Sequence, residues 1–436
     1  MPLSSLLLQA VAVHAATALF LYFAATYTPL FDAAPSLYAS SSPLLRWDAF
    51  HFDHVARDGY RYEHDWAFLP GMPFVLRALA PLANMLGVSS LTLHAIVIFP
   101  LSLLSTHDLY QLSIVHLGSK SMARLATTIS LLPASPVTLR LAPYAEPWFT
   151  AAAYRGMLLA TRERWLGAAC CFAIAASFRS NGILLAGFIL WGMLVEPFMR
   201  TRKMPIKKLV HATGLTALVF APFVQHNLSA YALFCSSDSG QADRPIWCDR
   251  LIPSVYTHVQ GKYWDSGPFR YWTLSQLPNF ALAAPVLVLL YAWSIAHLRH
   301  VAPHYWRVAS INTTTKNQRR LPGTPINPPI DPFLQPSLTP HAIHAFVTAS
   351  TLLFSANTQI ALRLAAALPA VYWAAAWLYW RTSEREEVKM VRDVRSDARE
   401  TSQPKSRWQS SKCYITWSMV WGALSIVLWA GFLPPA

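Results

Sequence analysis

Apolar runs of about 20 residues alternate with short polar stretches along nearly the whole chain. A helix of about that length can cross the hydrocarbon core of a bilayer. Read in order, the runs are about 5–26, 91–115, 124–142, 144–160, 166–178, 182–197, 209–224, 279–297, 341–356, 360–380 and 414–432. The pattern predicts an all-α polytopic membrane protein with about eleven transmembrane helices. The run at 166–178 is short and would need local thinning of the bilayer. The first run is too long for a signal-peptide core and lacks a basic flank, so it reads as a retained anchor.

Composition supports this reading. Hydrophobic residues make up 54% of the 436 residues and charged ones 13%, against roughly 25% charged in a soluble domain. Mean hydropathy is +0.31. The net charge of +14 does not call for nucleic acid, because the Lys and Arg sit in short loops between apolar runs, as the positive-inside bias requires. Taking the basic loops 120–124, 155–164 and 200–208 as cytosolic, with 298–340 and 381–412, fixes the rest by alternation. The N-terminus is then cytosolic and the C-terminus lumenal. Segments 27–90 and 225–278 are lumenal. The apolar stretch 68–88, broken by Gly71, Pro73, Arg77 and Pro81, reads as interfacial or re-entrant. The Pro-rich 322–340 reads as irregular, and 381–407 as a solvated helix plus linker.

One stretch breaks the apolar pattern. Residues 46–77, RWDAFHFDHVARDGYRYEHDWAFLPGMPFVLR, gather Asp48, Asp53, Asp58, Glu63 and Asp65 with His51, His54 and His64 among Trp, Phe and Tyr. Ionisable groups beside a bilayer are costly and are by default a functional-site hypothesis; the alternative is a solvated loop with interfacial aromatics. The topology was drawn from Lys and Arg alone. It nevertheless puts this stretch, Glu146, Arg179 with Asn181, Gln225, and Gln359 with Arg363 at lumenal ends. A single lumenal cavity would explain them together; capping and packing hydrogen bonds would explain them singly. Such a cavity suits transfer of a sugar from a lipid phosphate. A carboxylate can take the proton of an attacking hydroxyl. Arg can hold the phosphate and its developing charge. No CxxC or His-rich metal spacing occurs. A transporter would more often show repeats and midplane charges.

The residues resemble a known family. W-D-x-x-H-F followed by GYxYEHxxAFxPGxP is similar to the signature of the second mannosyltransferases of glycosylphosphatidylinositol (GPI) anchor synthesis. SPVTLRLAPYAEPWF, SFRSNG, FVQHNLSAYALFC, PIWC, YWDSGPFRYWTLSQLPNFALAAP, HAIHAFVTAS and NTQIALR resemble further family motifs, in order, from Arg46 to Arg363. Ala145 stands where the family has Ser, and Asn357 where it has His. The resemblance implies a membrane glycosyltransferase fold of the GT-C type with a large first lumenal loop, in the endoplasmic reticulum membrane. It implies dolichyl-phosphate mannose as donor, a one-mannose GPI lipid as acceptor, an α-1,6 link and inversion at the anomeric carbon. It implies no cofactor and no metal, and a small membrane partner subunit. On this reading Asp48 is the catalytic base, with Asp53 and Glu63 as fallbacks. Trp47 lies beside it, His51, His64, Arg179 and Arg363 are candidates for the phosphate, Glu146 orients acceptor hydroxyls, and Asn181 and Gln359 complete the wall. The nearest rivals are another dolichyl-phosphate-mannose enzyme and a lipid transporter or scaffold subunit. Cys235 and Cys248 share a lumenal segment, where a disulfide can form. Of two sequons, Asn227 is lumenal but close to the membrane, and Asn312 is cytosolic.

Overall fold

The computed structural model describes residues 3–31, 42–236, 244–310, 331–393 and 406–433. Every regular element among them is helical. In chain order the principal helices are α1 (Leu3–Tyr27), α2 (Asp48–Asp58), α3 (Gly71–Met85), α4 (Ser90–Leu117), α5 (Lys120–Ser130), α6 (Pro136–Arg140), α7 (Glu146–Ala160) and α8 (Trp165–Phe178). There follow α9 (Ala186–Leu190), α10 (Glu196–Thr201), α11 (Ile206–Phe234), α12 (Val255–Tyr263), α13 (Leu277–Ser310), α14 (Thr339–Phe354), α15 (Ala361–Leu364), α16 (Pro369–Asp393) and α17 (Ser406–Ala430).

The sequence leads to an expectation of about eleven spans, several of them short. Six helical stretches among the described residues are long and apolar enough to cross a bilayer, and a seventh joins them if Ala361–Ala367 and Pro369–Arg381, bent by 87°, form one span. The expected span 124–142 is instead broken into α5 and α6. Pro133 and Pro136 interrupt it, and the buried Arg140 turns back to donate to the Leu131 carbonyl at 2.9 Å. Helices α7, α8 and α14 hold 15, 14 and 16 residues, fewer than the roughly 20 that a perpendicular crossing needs. Composition could not separate these cases, because a short buried helix is as apolar as a spanning one.

Two loops also differ from expectation. Helix α13 runs on to Ser310, well past 297. The Pro-rich segment ends in two 3₁₀ turns that pack into the body: Phe333 is buried, its carbonyl accepts from Trp293 at 3.1 Å, and Asp331 accepts from Trp377 at 2.9 Å. Arg155, counted as a basic loop residue, lies within α7 and pairs with the buried Asp108 of α4 at 2.8 Å. Asn312 and much of both expected cytosolic loops lie outside the described residues.

The element that carries the acidic stretch is α2. Ala49, Phe52, Val55 and Ala56 fall on one face and are buried, the spacing of an amphipathic helix. It ends at Gly59, whose φ of +80° suits a residue without Cβ. Arg77 of α3 then donates to the Ala56 carbonyl at 3.0 Å, an acceptor that a helix C-terminus leaves open, and to the Val55 carbonyl at 3.1 Å, which also accepts the Gly59 N–H. So the broken apolar stretch at 68–88 forms a helix that braces α2.

Candidate active site

Helix α2 points its N-terminus into a cavity of about 630 Å³, within the usual size of a small-ligand site. Asp48 is the first residue of that helix. Trp47, just before it, adopts φ +52° and stacks on Phe432 with ring centroids 5.0 Å apart. A left-handed conformation at a bulky residue is uncommon and concentrates at functional sites. Here it turns the chain sharply into α2. The backbone N–H of Asp48 donates to the Tyr144 hydroxyl at 3.1 Å.

Four charged side chains line one wall. Arg363 Nη1 lies 2.9 Å from Asp48 Oδ2, and its Nε lies 3.6 Å from Glu146 Oε1. Glu146 also pairs with Arg179 Nη1 at 2.5 Å. The order Asp48–Arg363–Glu146–Arg179 alternates in sign, so each buried charge faces an opposite one, as burial demands. Asp48 is the most open of the four, with 35% of its side chain exposed against 2% for Glu146. Different elements bring these groups together: α2, the start of α7, the α8 turn and α15. The turn at Arg179-Ser180-Asn181 is tight. A Cβ on Gly182 would come within 2.5 Å of the Ala176 backbone.

Of the residues singled out by sequence, Trp47, Asp48, Glu146, Arg179, Asn181 and Arg363 all line the cavity. The others do not. Asp53 is held by Arg57 at 2.8 Å, and burial pushes its carboxyl above the ordinary value despite that partner. His51 stacks on Phe68, centroids 4.6 Å apart, and meets His64 edge-on at 5.9 Å; burial lowers its pKa. Glu63 accepts from Trp247 at 3.1 Å and Lys262 at 2.8 Å and lies 3.3 Å from His258. Partial burial pushes its carboxyl up, but Lys262, His258 and Trp247 together outweigh that and hold it below the ordinary range. Glu63 thus ties its 3₁₀ turn to α12. The Gln359 side chain lies outside the described residues. Gln225 bonds Ser229 on its own helix. Cys235 and Cys248 are joined as a disulfide. Asn227 is buried, with its Oδ1 accepting from Ser254 at 2.8 Å.

Cavity residues not singled out include Tyr144, Tyr256, Gln260, Trp264 and Trp429. Trp264 and Trp429 supply broad apolar faces of the kind that pack against sugar rings. Tyr144 sits inside the APYAEP motif and Trp264 inside YWDSGPFRYWTLSQLPNFALAAP; the others carry no local pattern that marks them.

The chain matches a family profile described as mannosyltransferase (PIG-V) over residues 5–436. The chain belongs to the PIG-V mannosyltransferase family. Among its relatives is GPI mannosyltransferase 2 of Cryptococcus neoformans, 33% identical over 94% of this chain and 92% of that one. GPI alpha-1,6-mannosyltransferase 2 of Mus musculus is 29% identical over 90% and 87%, and the Homo sapiens protein of that name is 31% identical over 77% and 73%. Among solved structures, the Archaeoglobus fulgidus oligosaccharyltransferase in its apo form aligns with 97% of this chain and 56% of its own at 12% identity and a TM-score of 0.45. Membership of the PIG-V family makes the protein a multi-pass membrane glycosyltransferase. The cavity at Asp48 is its candidate active site.

Proposed function

We propose that this enzyme transfers the second mannose, in α-1,6 linkage, from dolichyl-phosphate mannose to a one-mannose GPI precursor on the lumenal side of the endoplasmic reticulum membrane. The relatives' names support the acceptor and the linkage. The observation that carries the chemistry is the Asp48–Arg363 pair at the cavity wall.

The reaction is a single displacement with inversion, which needs one base and no covalent intermediate. Asp48 takes the proton from the 6-hydroxyl of the acceptor mannose as that oxygen forms its bond to C1 of the donor mannose. The bond between C1 and the phosphate oxygen breaks, and dolichyl phosphate leaves with the electron pair. During the step Asp48 loses its negative charge and the phosphate gains one. Arg363 stands against Asp48 and, through Glu146, beside Arg179. It can therefore follow the charge from carboxylate to phosphate without the cavity changing its net charge. A guanidinium fork suits two phosphate oxygens. Glu146, buried and paired to both arginines, holds them in place.

The test is transfer of labelled mannose in membranes from cells lacking this activity, with the one-mannose acceptor supplied. Wild type should transfer. Asp48→Asn at equal abundance should lose roughly 10²–10⁴-fold in rate. Full activity in Asp48→Asn would remove the base from Asp48. Transfer to acceptors carrying zero or two mannoses, but not one, would reassign the acceptor.

A further inference from the structure

Outside the cavity wall, one carboxylate lacks the cationic partner that burial calls for. Asp65 is completely buried. Its Oδ2 accepts the backbone N–H groups of Arg61 and Tyr62 at 3.0 and 2.8 Å. Its Oδ1 accepts no hydrogen bond. Among the described residues only imidazoles come within ion-pair distance: His64 Nε2 is 3.5 Å from Oδ1, and His54 Nε2 is 3.8 Å from Oδ2. The buried Nε2 of His54 likewise makes no hydrogen bond. His51 closes the group, and one donor atom each of His51, His64 and Asp65 lie within 4.8 Å of one another.

We propose that His51, His64 and Asp65 bind one divalent transition-metal ion, zinc. The donor set makes the choice. Two imidazoles with one carboxylate favour such ions over magnesium or calcium, which take oxygen ligands. Four-coordinate zinc holds its nitrogens and oxygens at roughly 2.0–2.2 Å, so the three donors draw inward on binding. Their rings are already set for it. His51 stacks on Phe68, and His64 lies parallel to Tyr62 with centroids 5.5 Å apart. Behind the carboxylate, His54 is held by Asp58, with Nδ1 3.2 Å from Oδ2. The ion would supply the missing partner of Asp65. It would also tie α2 to the 3₁₀ turn at Glu63–Ala67, one helical turn from Asp48. This site does not depend on the transfer reaction proposed above, and its readout is metal binding.

The full chain, purified in detergent with a tag free of histidine, is analysed for metal by plasma mass spectrometry after desalting. It is then stripped with chelator and titrated with Co²⁺, whose visible d–d absorption reports an ordered site. Wild type and His211→Ala, an exposed helix residue, should hold about one ion per chain. Both should develop the same Co²⁺ bands, and zinc should displace the Co²⁺ from them. His64→Ala should bind Co²⁺ at least about tenfold more weakly. Wild type without stoichiometric metal and without Co²⁺ bands overturns the site. So does His64→Ala binding as tightly as wild type. If His64→Ala does not fold, the wild-type metal content and spectrum still decide.

Discussion

At the scale of single residues, the charge balance of the cavity turns on Arg363. It meets Asp48 at 2.9 Å and Glu146 at 3.6 Å, and so answers to both carboxylates. Replacing it should unbalance the wall in two ways: Asp48 loses its cation, and the phosphate loses a donor. Arg363→Gln should lower transfer roughly 10²–10³-fold, the usual cost of removing one donor at a developing charge. Arg363→Lys keeps the charge but not the fork and should recover part of that loss, mainly in kcat. Transfer assays over a range of donor concentration separate the two. Equal loss in both variants would assign the effect to geometry alone. Asp48, Glu146, Arg179 and Arg363 were legible in the sequence because each is an ionisable residue beside apolar runs, where few occur. The placement of His51 and His64 was not: nothing local marks that they gather at Asp65 rather than line the cavity.

At the scale of elements, the acidic stretch works through its clamps. Glu63 ties its turn to α12 through His258 and Lys262, and to the 3₁₀ turn Ile246–Asp249 through Trp247. Its folded carboxyl sits below the ordinary value. The stability this gives is therefore present above the unfolded pKa of about 4.3 and is lost as pH falls through the lower, folded value. Thermal melts should show a steeper loss of Tm below that pH for wild type than for Glu63→Gln, which has no charge to protonate. The α8 turn offers a second test. Gly182→Ala would press a methyl on the Ala176 backbone and should cost about 1–3 kcal/mol, lowering Tm and transfer together, since Arg179 sits on the same turn. Element ends were the least legible feature. The break between α5 and α6, the bend before α16 and the 3₁₀ turns after α8 lie within apolar text that reads the same either way. What sets them is a proline's missing N–H, a buried Arg140 reaching for a carbonyl, or a close approach of two backbones.

At the scale of the whole molecule, the cavity is closed by residues far apart in the chain. Trp429 of α17 donates to the Pro43 carbonyl at 2.8 Å across 386 residues, and packs edge-on against Tyr144 with ring centroids 5.3 Å apart. Phe31 N–H donates to the Gly431 carbonyl at 2.9 Å, and Phe432 stacks on Trp47. Trp429→Ala should cost about 3–5 kcal/mol and loosen the chain entering α2. Limited proteolysis should then cut near residues 42–46, where wild type resists. The apolar run at 414–432 was plain in the sequence, but nothing local marks it as a wall of the cavity. These contacts give the site an order of construction. During synthesis Asp48 emerges early, yet its loop has no floor until the segment around Trp429 has been translated and inserted. A nascent chain stalled anywhere before that point would carry the charged residues of the wall without the surface that aims them. Catalytic competence is thus withheld until the chain is made through α17, and a ribosome that stops short releases an inactive product.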